Sequence, residues 1–242
     1  PQVAATQGAT HPNRQALTDA QGRFELRDLP TGRYRLTASV VGYNYAQDGF
    51  INYNVNWQEV GINGSHMVGP HHMLFEGNES FNYDSDNTHG SAIYHTVFRN
   101  HLTGRRKSFT GMGNARTIGL LYGSYWHSFV GNVLGDAGQM SGWIYNDPGN
   151  NGSDPWSNSP AIFKLGYDPI HFEQKVDPKV VQTAIRDGNW NYLTNQVNWD
   201  NTPQTLPNSL YLTQKPAFFG TWTWPWVDPL GPTKLYILPA KA

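Results

Sequence analysis

Apolar and polar residues alternate in short runs along much of this chain, and three of those runs read as variations on one phrase. They are His72-Met-Leu-Phe75-Glu-Gly77-Asn78, His95-Thr-Val-Phe98-Arg-Asn100 and His127-Ser-Phe129-Val-Gly131-Asn132. Each is a β-type apolar run that stops on Asn or Gly-Asn, and the Asn positions lie 22 and 32 residues apart. A short strand that ends in an Asn turn and recurs at this spacing predicts rungs of a parallel β-solenoid. No rung can bury its apolar face alone, and the next rung supplies the partner.

The flanks are patterned differently. Residues 1–15 are polar, small and aperiodic, and predict a flexible lead-in. Phe24/Leu26 and Tyr34/Leu36/Ala38/Val40 alternate with polar residues as half-buried strands do, with turns at Asp19–Gly22 and Pro30–Gly32. Ile51 to Trp57 alternates cleanly and predicts the first rung, with the coils running to about Gly142. The Pro/Gly/Asn-rich stretch from Asp147 to Pro160 predicts a loop. Asp177 to Gly188 predicts a short helix, with Asp as N-cap and Pro at the first position, and a second helical turn is expected near Asn191–Val197. The remainder is Pro- and Trp-rich.

Composition adds mainly exclusions. Only 14% of the 242 residues are charged, and 17 Lys+Arg against 18 Asp+Glu leave a net charge of −1. That balance offers nothing to nucleic acid or an anionic membrane. Nine Trp and thirteen Tyr beside abundant Gly and Asn suit a secreted β-protein that handles glycans. Cysteine is absent, so there is no disulfide, thiol chemistry or Cys-based metal site. No run reaches the roughly 18 apolar residues of a membrane span. The chain opens on Pro1 rather than Met, which is read as a processed form or a fragment.

Two resemblances follow from quoted residues. The Thr18-Asp-x-x-Gly22-x-Phe24 and Leu29-Pro-x-Gly32-x-Tyr34 runs, closed by Gly42-Tyr43, resemble the carboxypeptidase-regulatory-like (transthyretin-like) β-sandwich over residues 16–43. That family's first strands would precede this stretch, so half a sandwich with an open edge is expected, completed by another segment or chain. Gly69 to Asn78, Asp84 to Gly90, Phe98-Arg-Asn-His101, Tyr125 to Asn132 and Leu206 to Gly220 together resemble right-handed parallel β-helix proteins of the pectate-lyase-like superfamily, over about residues 45–240. Members of that superfamily mostly cleave or bind polysaccharides.

The strongest polar cluster is Asp84-Ser-Asp86-Asn-Thr-His89-Gly90. On a strand Asp84 and Asp86 share one face about 6.5–7 Å apart, near the lower end of the separation in an inverting glycosidase. With Glu76 one rung away, the pair would equally suit Ca²⁺. An Asp/Asn turn bonded to nearby backbone, with His89 bracing it, is the plainer reading. Arg105-Arg106-Lys107, with Arg99 and Arg116 nearby, falls about one rung later and would face the acids, or lie in solvent holding carbonyls or carboxylates. The resemblance implies that such a cation takes a proton beside a uronate carboxylate while Ca²⁺ neutralises that carboxylate in the lyases. In the hydrolases it implies an Asp cluster, a Gly-His-Gly and an Arg-x-Lys around the scissile bond. Thr88-His89-Gly90 and Arg105-Arg106-Lys107 match the latter pattern loosely; its Asn-Thr-Asp order and first Gly are absent.

His72, His95 and His127 occupy equivalent repeat positions, which favours a stacked structural ladder over a metal site. Trp222-Thr-Trp224-Pro-Trp226 is either a sugar-stacking platform or the seal on the end of a solenoid.

The expected protein is all-β: a partial β-sandwich over residues 1–43, a right-handed parallel β-helix over 44–146, and a helical and irregular cap over 147–242. The expected activity is cleavage of an extracellular polysaccharide, by a polysaccharide lyase or an inverting glycoside hydrolase. Asp84 and Asp86 would be acid/base or Ca²⁺ ligands, His89 an orienter, and Arg105 or Lys107 the base or carboxylate clamp. Arg99, Arg106, Trp222 and Trp224 would bind substrate. The alternative is a non-catalytic glycan-binding or self-assembling surface protein, secreted or at the cell surface. The incomplete sandwich and solenoid end predict a homo-oligomer or a partner chain.

Overall fold

The computed structural model describes residues 2–6, 14–17, 35–38, 40–46, 50–51, 54–58, 61–66, 69–104, 115–147, 160–168 and 176–242. At the start, β1 (Gln2–Thr6) lies between β2 (Arg14–Leu17) and β3 (Arg35–Ala38) in a three-stranded antiparallel sheet. The expected lead-in thus supplies the central strand. Its Val-Ala-Ala core carries too little apolar bulk for alternation to show in the sequence. The expected Phe24/Leu26 strand lies outside the described residues.

From Val40 onward the chain visits three sheets in turn. β4 (Val40–Gly42), β9 (Leu74–Glu76), β12 (Thr96–Phe98), β15 (Ser128–Val130) and β19 (Ile185–Asp187) form the first, parallel in every pair. β5 (Tyr45–Ala46), β10 (Glu79–Ser80), β13 (His101–Leu102), β16 (Val133–Leu134) and β20 (Asn189–Asn191) form the second, and β21 (Gln196–Asn198) folds back antiparallel on β20. β8 (Ile62–Ser65), β11 (Tyr83–Ser85), β14 (Arg116–Leu121) and β18 (Ala161–Tyr167) form the third, with β17 (Ile144–Asp147) added outside β18.

This architecture corrects the expected fold class. The described residues form three sheets of parallel strands with little helix, and the regular solenoid with a helical cap is not what they make. The run from Ile51 to Trp57 is not a rung: β6 (Phe50–Ile51) and β7 (Asn54–Gln58) pair antiparallel and stand apart from the three sheets. β17 joins its sheet out of chain order, and parallel pairing continues to Asn191, well past Gly142. The one α-helix among the described residues, α1 (Pro178–Thr183), sits between β18 and β19 instead of in a C-terminal cap. Its start is as expected, with Asp177 accepting from the Lys179 N–H at 3.0 Å and Pro at the first position. It stops five residues short of Gly188 because Ile185–Asp187 is drawn into the first sheet. Near Asn191–Val197 there is a turn into β21, not a helix. Among the described residues no helix is long and apolar enough to cross a membrane.

An asparagine ladder fixes the stack where the first sheet turns into the second. Asn78 Oδ1 accepts from the backbone N–H and the Nδ2 of Asn44, both at 3.0 Å. Asn100 Oδ1 accepts the same pair from Asn78 at 2.9 Å, and Asn132 Oδ1 accepts from Asn100 at 2.9 and 3.2 Å. Asn189 Oδ1 closes the series, accepting from Asn132 twice at 2.9 Å. The amide groups also donate back to strand carbonyls: Asn100 to Phe75 and Phe98, Asn132 to Val97, and Asn189 to Phe129. The residue before each Asn is left-handed, with φ of 59° at Tyr43, 73° at Gly77, 49° at Arg99, 67° at Gly131 and 64° at Gly188. That conformation makes the corner, and glycine supplies it at three of the five positions without steric cost.

Inside the corner, register lines up Phe75, Val97 and Phe129 on the first sheet. They pack with Tyr83, Ile118 and Phe163 of the third sheet and Leu102 and Leu134 of the second. Register also corrects the histidine alignment. His95 and His127 meet edge to face in the interior with ring centroids 5.1 Å apart, but Met73 occupies their position in the rung before. His72 is equivalent to Tyr94 and Trp126 on the outside. Counting back from the ladder Asn, rather than aligning on His, gives the correct frame.

Burial holds His95 at about 4 and His127 at about 3, with its neighbour His95 adding to the depression at His127. His95 Nδ1 pairs with the Tyr83 hydroxyl at 2.8 Å, and His127 Nε2 lies 3.1 Å from the Ala92 carbonyl.

Asn100→Ala removes one link, taking the acceptor from the Asn78 N–H and Nδ2 and the Nδ2 donor from Asn132 Oδ1. It is expected to lower the unfolding free energy by about 3–5 kcal/mol, read from the urea midpoint. Acid acts through the histidines. In the unfolded chain they take up protons below about pH 6.5, whereas in the fold they resist until far lower. Stability is therefore level above pH 7 and falls from about 6.5 downward, by about 1.4 kcal/mol per pH unit for each histidine. Urea midpoints between pH 7.5 and 4 test this, and His127→Leu should flatten the fall.

Candidate functional site

The expected acidic site lies on and just after β11. Tyr83 points into the core against Phe75 and Phe129, so the two-residue period of the strand sends Asp84 to the opposite face. There Asp84 is buried, as is Arg116. Arg116 Nε donates to Asp84 Oδ1 at 2.7 Å, a second guanidinium nitrogen to Oδ2 at 2.6 Å, and Asn82 Nδ2 adds 3.1 Å. Gly119 leaves the room: a Cβ there would collide with Asp84 Oδ1 and Arg116 Nε. Burial raises the Asp84 carboxyl above its ordinary value, against the pull of Arg116 and Asn82.

Asp86 does not converge with it. Asp86 Oδ1 accepts from the Thr88 N–H at 2.9 Å, closing a local turn, and Oδ2 pairs with His66 Nδ1 at 2.6 Å. The His89 ring stands edge-on to His66 at 5.2 Å and is exposed. An Asp turn of the kind weighed from the sequence forms at Asp86, and the His89 ring contacts His66 beside it. Glu76 is remote, on the first sheet, where its Oε2 accepts from the Leu210 N–H at 2.9 Å. A Ca²⁺ ion does not fit these residues: a guanidinium already occupies both Asp84 oxygens. Among the described residues no three His, Asp or Glu side chains are placed to hold a metal.

The expected substrate clamps are engaged elsewhere. Arg99 is buried, and its guanidinium donates to the carbonyls of Pro207, Val227 and Leu206 at 2.8, 2.6 and 3.3 Å. It anchors the tail to the stack. Trp222 and Trp224 are half-buried against the apolar cluster of Phe219, Trp226 and Val227, and Trp224 Nε1 donates to the Tyr43 hydroxyl at 2.8 Å. The Trp segment lies against the side of the stack at the ladder corner, not across an end. Arg105, Arg106 and Lys107 lie outside the described residues.

Where the tail crosses the second sheet it leaves a cleft of about 520 Å³. Leu102 and Leu134 turn into the core, so their neighbours Glu79, His101 and Val133, in register with one another, face outward beneath the tail. Asp136, Leu235, Tyr236 and Lys241 line it, and the buried Trp226 packs behind them. Lys241 Nζ reaches Glu79 Oε1 at 2.5 Å. His101 Nδ1 lies 4.0 Å from Glu79 Oε2, and its Nε2 lies 3.1 Å from the Gly135 carbonyl. Burial pushes the Glu79 carboxyl up, but His101 and Lys241 together bring it below its ordinary value. The cleft thus offers Asp136, Tyr236 and Lys241 above a buried layer of Glu79, His101 and Trp226.

The sequence reading missed this site, although part of the signal was there. Glu79 and His101 each directly follow a ladder asparagine, so equal positions on successive rungs place them side by side. Lys241, 162 residues from Glu79, carries no local signal.

A family model for the carboxypeptidase regulatory-like domain matches residues 2–54, which include β1 to β6. The match begins before the stretch from 16 to 43 that carries the resemblance in sequence and ends after it, reaching past β4 and β5 of the parallel sheets. No curated protein and no solved structure matches the chain, and nothing in these comparisons supports the pectate-lyase-like resemblance.

The buried pair gives a direct test. Arg116→Ala strands the Asp84 carboxylate and should cost about 3–5 kcal/mol in chemical denaturation. The double variant Asp84→Leu with Arg116→Met should recover most of that loss.

Proposed function

We propose that this chain is a non-catalytic glycan-binding protein that acts outside the cell and holds a short saccharide in the cleft under the tail. The observation that carries this reading is the set of groups facing one another there. A sugar presents C–H patches and adjacent hydroxyls that donate and accept. The half-buried Tyr236 suits the patches, Asp136 suits hydroxyl donors, and Lys241, held by the buried Glu79, suits hydroxyl oxygens.

The carboxyl groups among the described residues favour binding over hydrolysis. Glycoside hydrolysis of the kind expected needs an acid held protonated opposite a second free carboxylate. Glu79 is held ionised by its partners, while Asp84 has both oxygens covered and is out of reach of a substrate. Low charge and abundant aromatic residues agree with a saccharide partner.

Isothermal titration against neutral and uronate-containing di- and trisaccharides, with mass spectrometry of the incubated mixtures, tests the reading. Binding without new products is expected. Lys241→Ala and Tyr236→Ala should each weaken it about tenfold, or about 1.4 kcal/mol. Saturated or unsaturated fragments would replace the binder with an enzyme. No binding across the set would remove the glycan.

A further inference from the structure

A second surface lies away from the cleft, on the outer corner that leads into the first sheet. There His72, Tyr94 and Trp126 sit one above another on three rungs, with ring centroids 5.0 Å apart at both steps and interplanar angles of 17° and 9°. All three have left-handed backbones, with φ of 54°, 57° and 57°. That conformation is strained for any residue with a bulky side chain.

The ladder corner shows what the backbone prefers in the same conformation. Gly77, Gly131 and Gly188 take three of its five positions, and the other two hold Tyr43 and Arg99, which are buried and bonded to the tail. At the outer corner the chain instead carries an aromatic ring three times running, and Tyr94 and Trp126 leave 41% and 39% of their surface in solvent. Backbone strain and exposed aromatic area are both unfavourable, and stacking of the rings offsets only part of them. Lys179 Nζ, on α1, lies 4.4 Å over the Tyr125 ring and 5.1 Å over Trp126, and the Trp126 N–H donates to Thr183 Oγ1 at 3.2 Å. At the opposite end His71 Nδ1 and His72 Nδ1 approach to 2.9 Å.

We infer that this row of rings is a track for an extended glycan chain lying along the stack, across its rungs. The rings recur at 5.0 Å, close to the length of one sugar unit in an extended chain. Each combines an apolar edge with a polar atom, matching the alternation of C–H and hydroxyl along a polysaccharide. Lys179 at one end and the paired imidazoles at the other supply hydrogen-bond donors. The inference rests on the glycan reading above and adds a site for polymer, where the cleft takes a short unit.

The test uses the double variant Tyr94→Gly with Trp126→Gly, because glycine suits the left-handed backbone and the fold should survive loss of the rings. Thermal melting checks that it does, and disaccharide binding in the cleft should be unchanged. Affinity electrophoresis in gels containing a linear β-glucan or a polyuronate should show at least tenfold weaker retention of the variant than of the parent chain. Lys179→Ala should weaken retention by the polyuronate alone if the track prefers acidic sugars. Equal retention of variant and parent would overturn the track and leave the cleft standing. A parent chain that binds disaccharide, yet is retained by neither polymer, would do the same. A parent that binds neither disaccharide nor polymer would remove both proposals.

Discussion

The asparagine ladder is the constraint on which the other features depend. A side-chain amide offers an acceptor and two donors at fixed separation, so one residue can close a bond to the rung before and return another to a strand carbonyl. Aspartate lacks the donors, and glutamine is longer by a methylene at a corner with no spare depth. Because Asn78, Asn100, Asn132 and Asn189 are buried, each missing bond would leave a polar atom dry. The ladder thus does more than stabilise. It fixes which residue of one rung lies over which residue of the next, since a slip by one position would break the whole series together.

Both proposed binding surfaces inherit that registration. One position after the Asn, Glu79 and His101 are brought side by side under the tail. Six positions before it, His72, Tyr94 and Trp126 are brought into stack. The left-handed residue just before the Asn gives the corner its turn, and at Arg99 it also places a guanidinium where the tail passes. Arg99 gathers three tail carbonyls, Trp226 Nε1 donates to the Gly77 carbonyl at 2.6 Å, and Glu76 takes the Leu210 N–H. A tail with almost no regular secondary structure is therefore held by groups that the ladder has positioned, and the cleft exists because that tail is held.

Much of the stacking was legible in sequence because it repeats. Asn78, Asn100 and Asn132 announce themselves through their shared run, and the Asp177-Pro helix start needs only local chemistry. The two ends of the ladder were not legible. Asn44 is separated from Asn78 by a stretch that includes the antiparallel pair β6–β7, and Asn189 follows Asn132 only after 57 residues that include a strand added out of order and a helix. Gly188-Asn189 does repeat the Gly-Asn ending, but the helix signal from Asp177 runs up to it and masks it. The misplacement of His72 has another origin: the first copy of the phrase is one residue longer from His to Asn than the other two, and aligning on histidine hides it. Long-range partners such as Lys241 for Glu79, or the tail carbonyls for Arg99, carry no periodic signal at all.

The acidic cluster shows why residue type alone overstated chemistry. Two aspartates on one strand suggest an acid and a base only when both remain open to a substrate. Asp84 has a buried guanidinium beside it, supplied by a strand 32 residues on, and the absent side chain of Gly119 makes the contact sterically allowed. Removing both charges from water is costly, and two good bonds return only part of the cost, so such a pair is weak evidence for stability by itself. A buried arginine bonded to Asp84 disfavours pairings of β11 with β14 that would separate the two charges. The pair therefore does on the third sheet what the amides do at the corner. Asp84, which in sequence looked like half of a reaction centre, is bonded from one rung to the next.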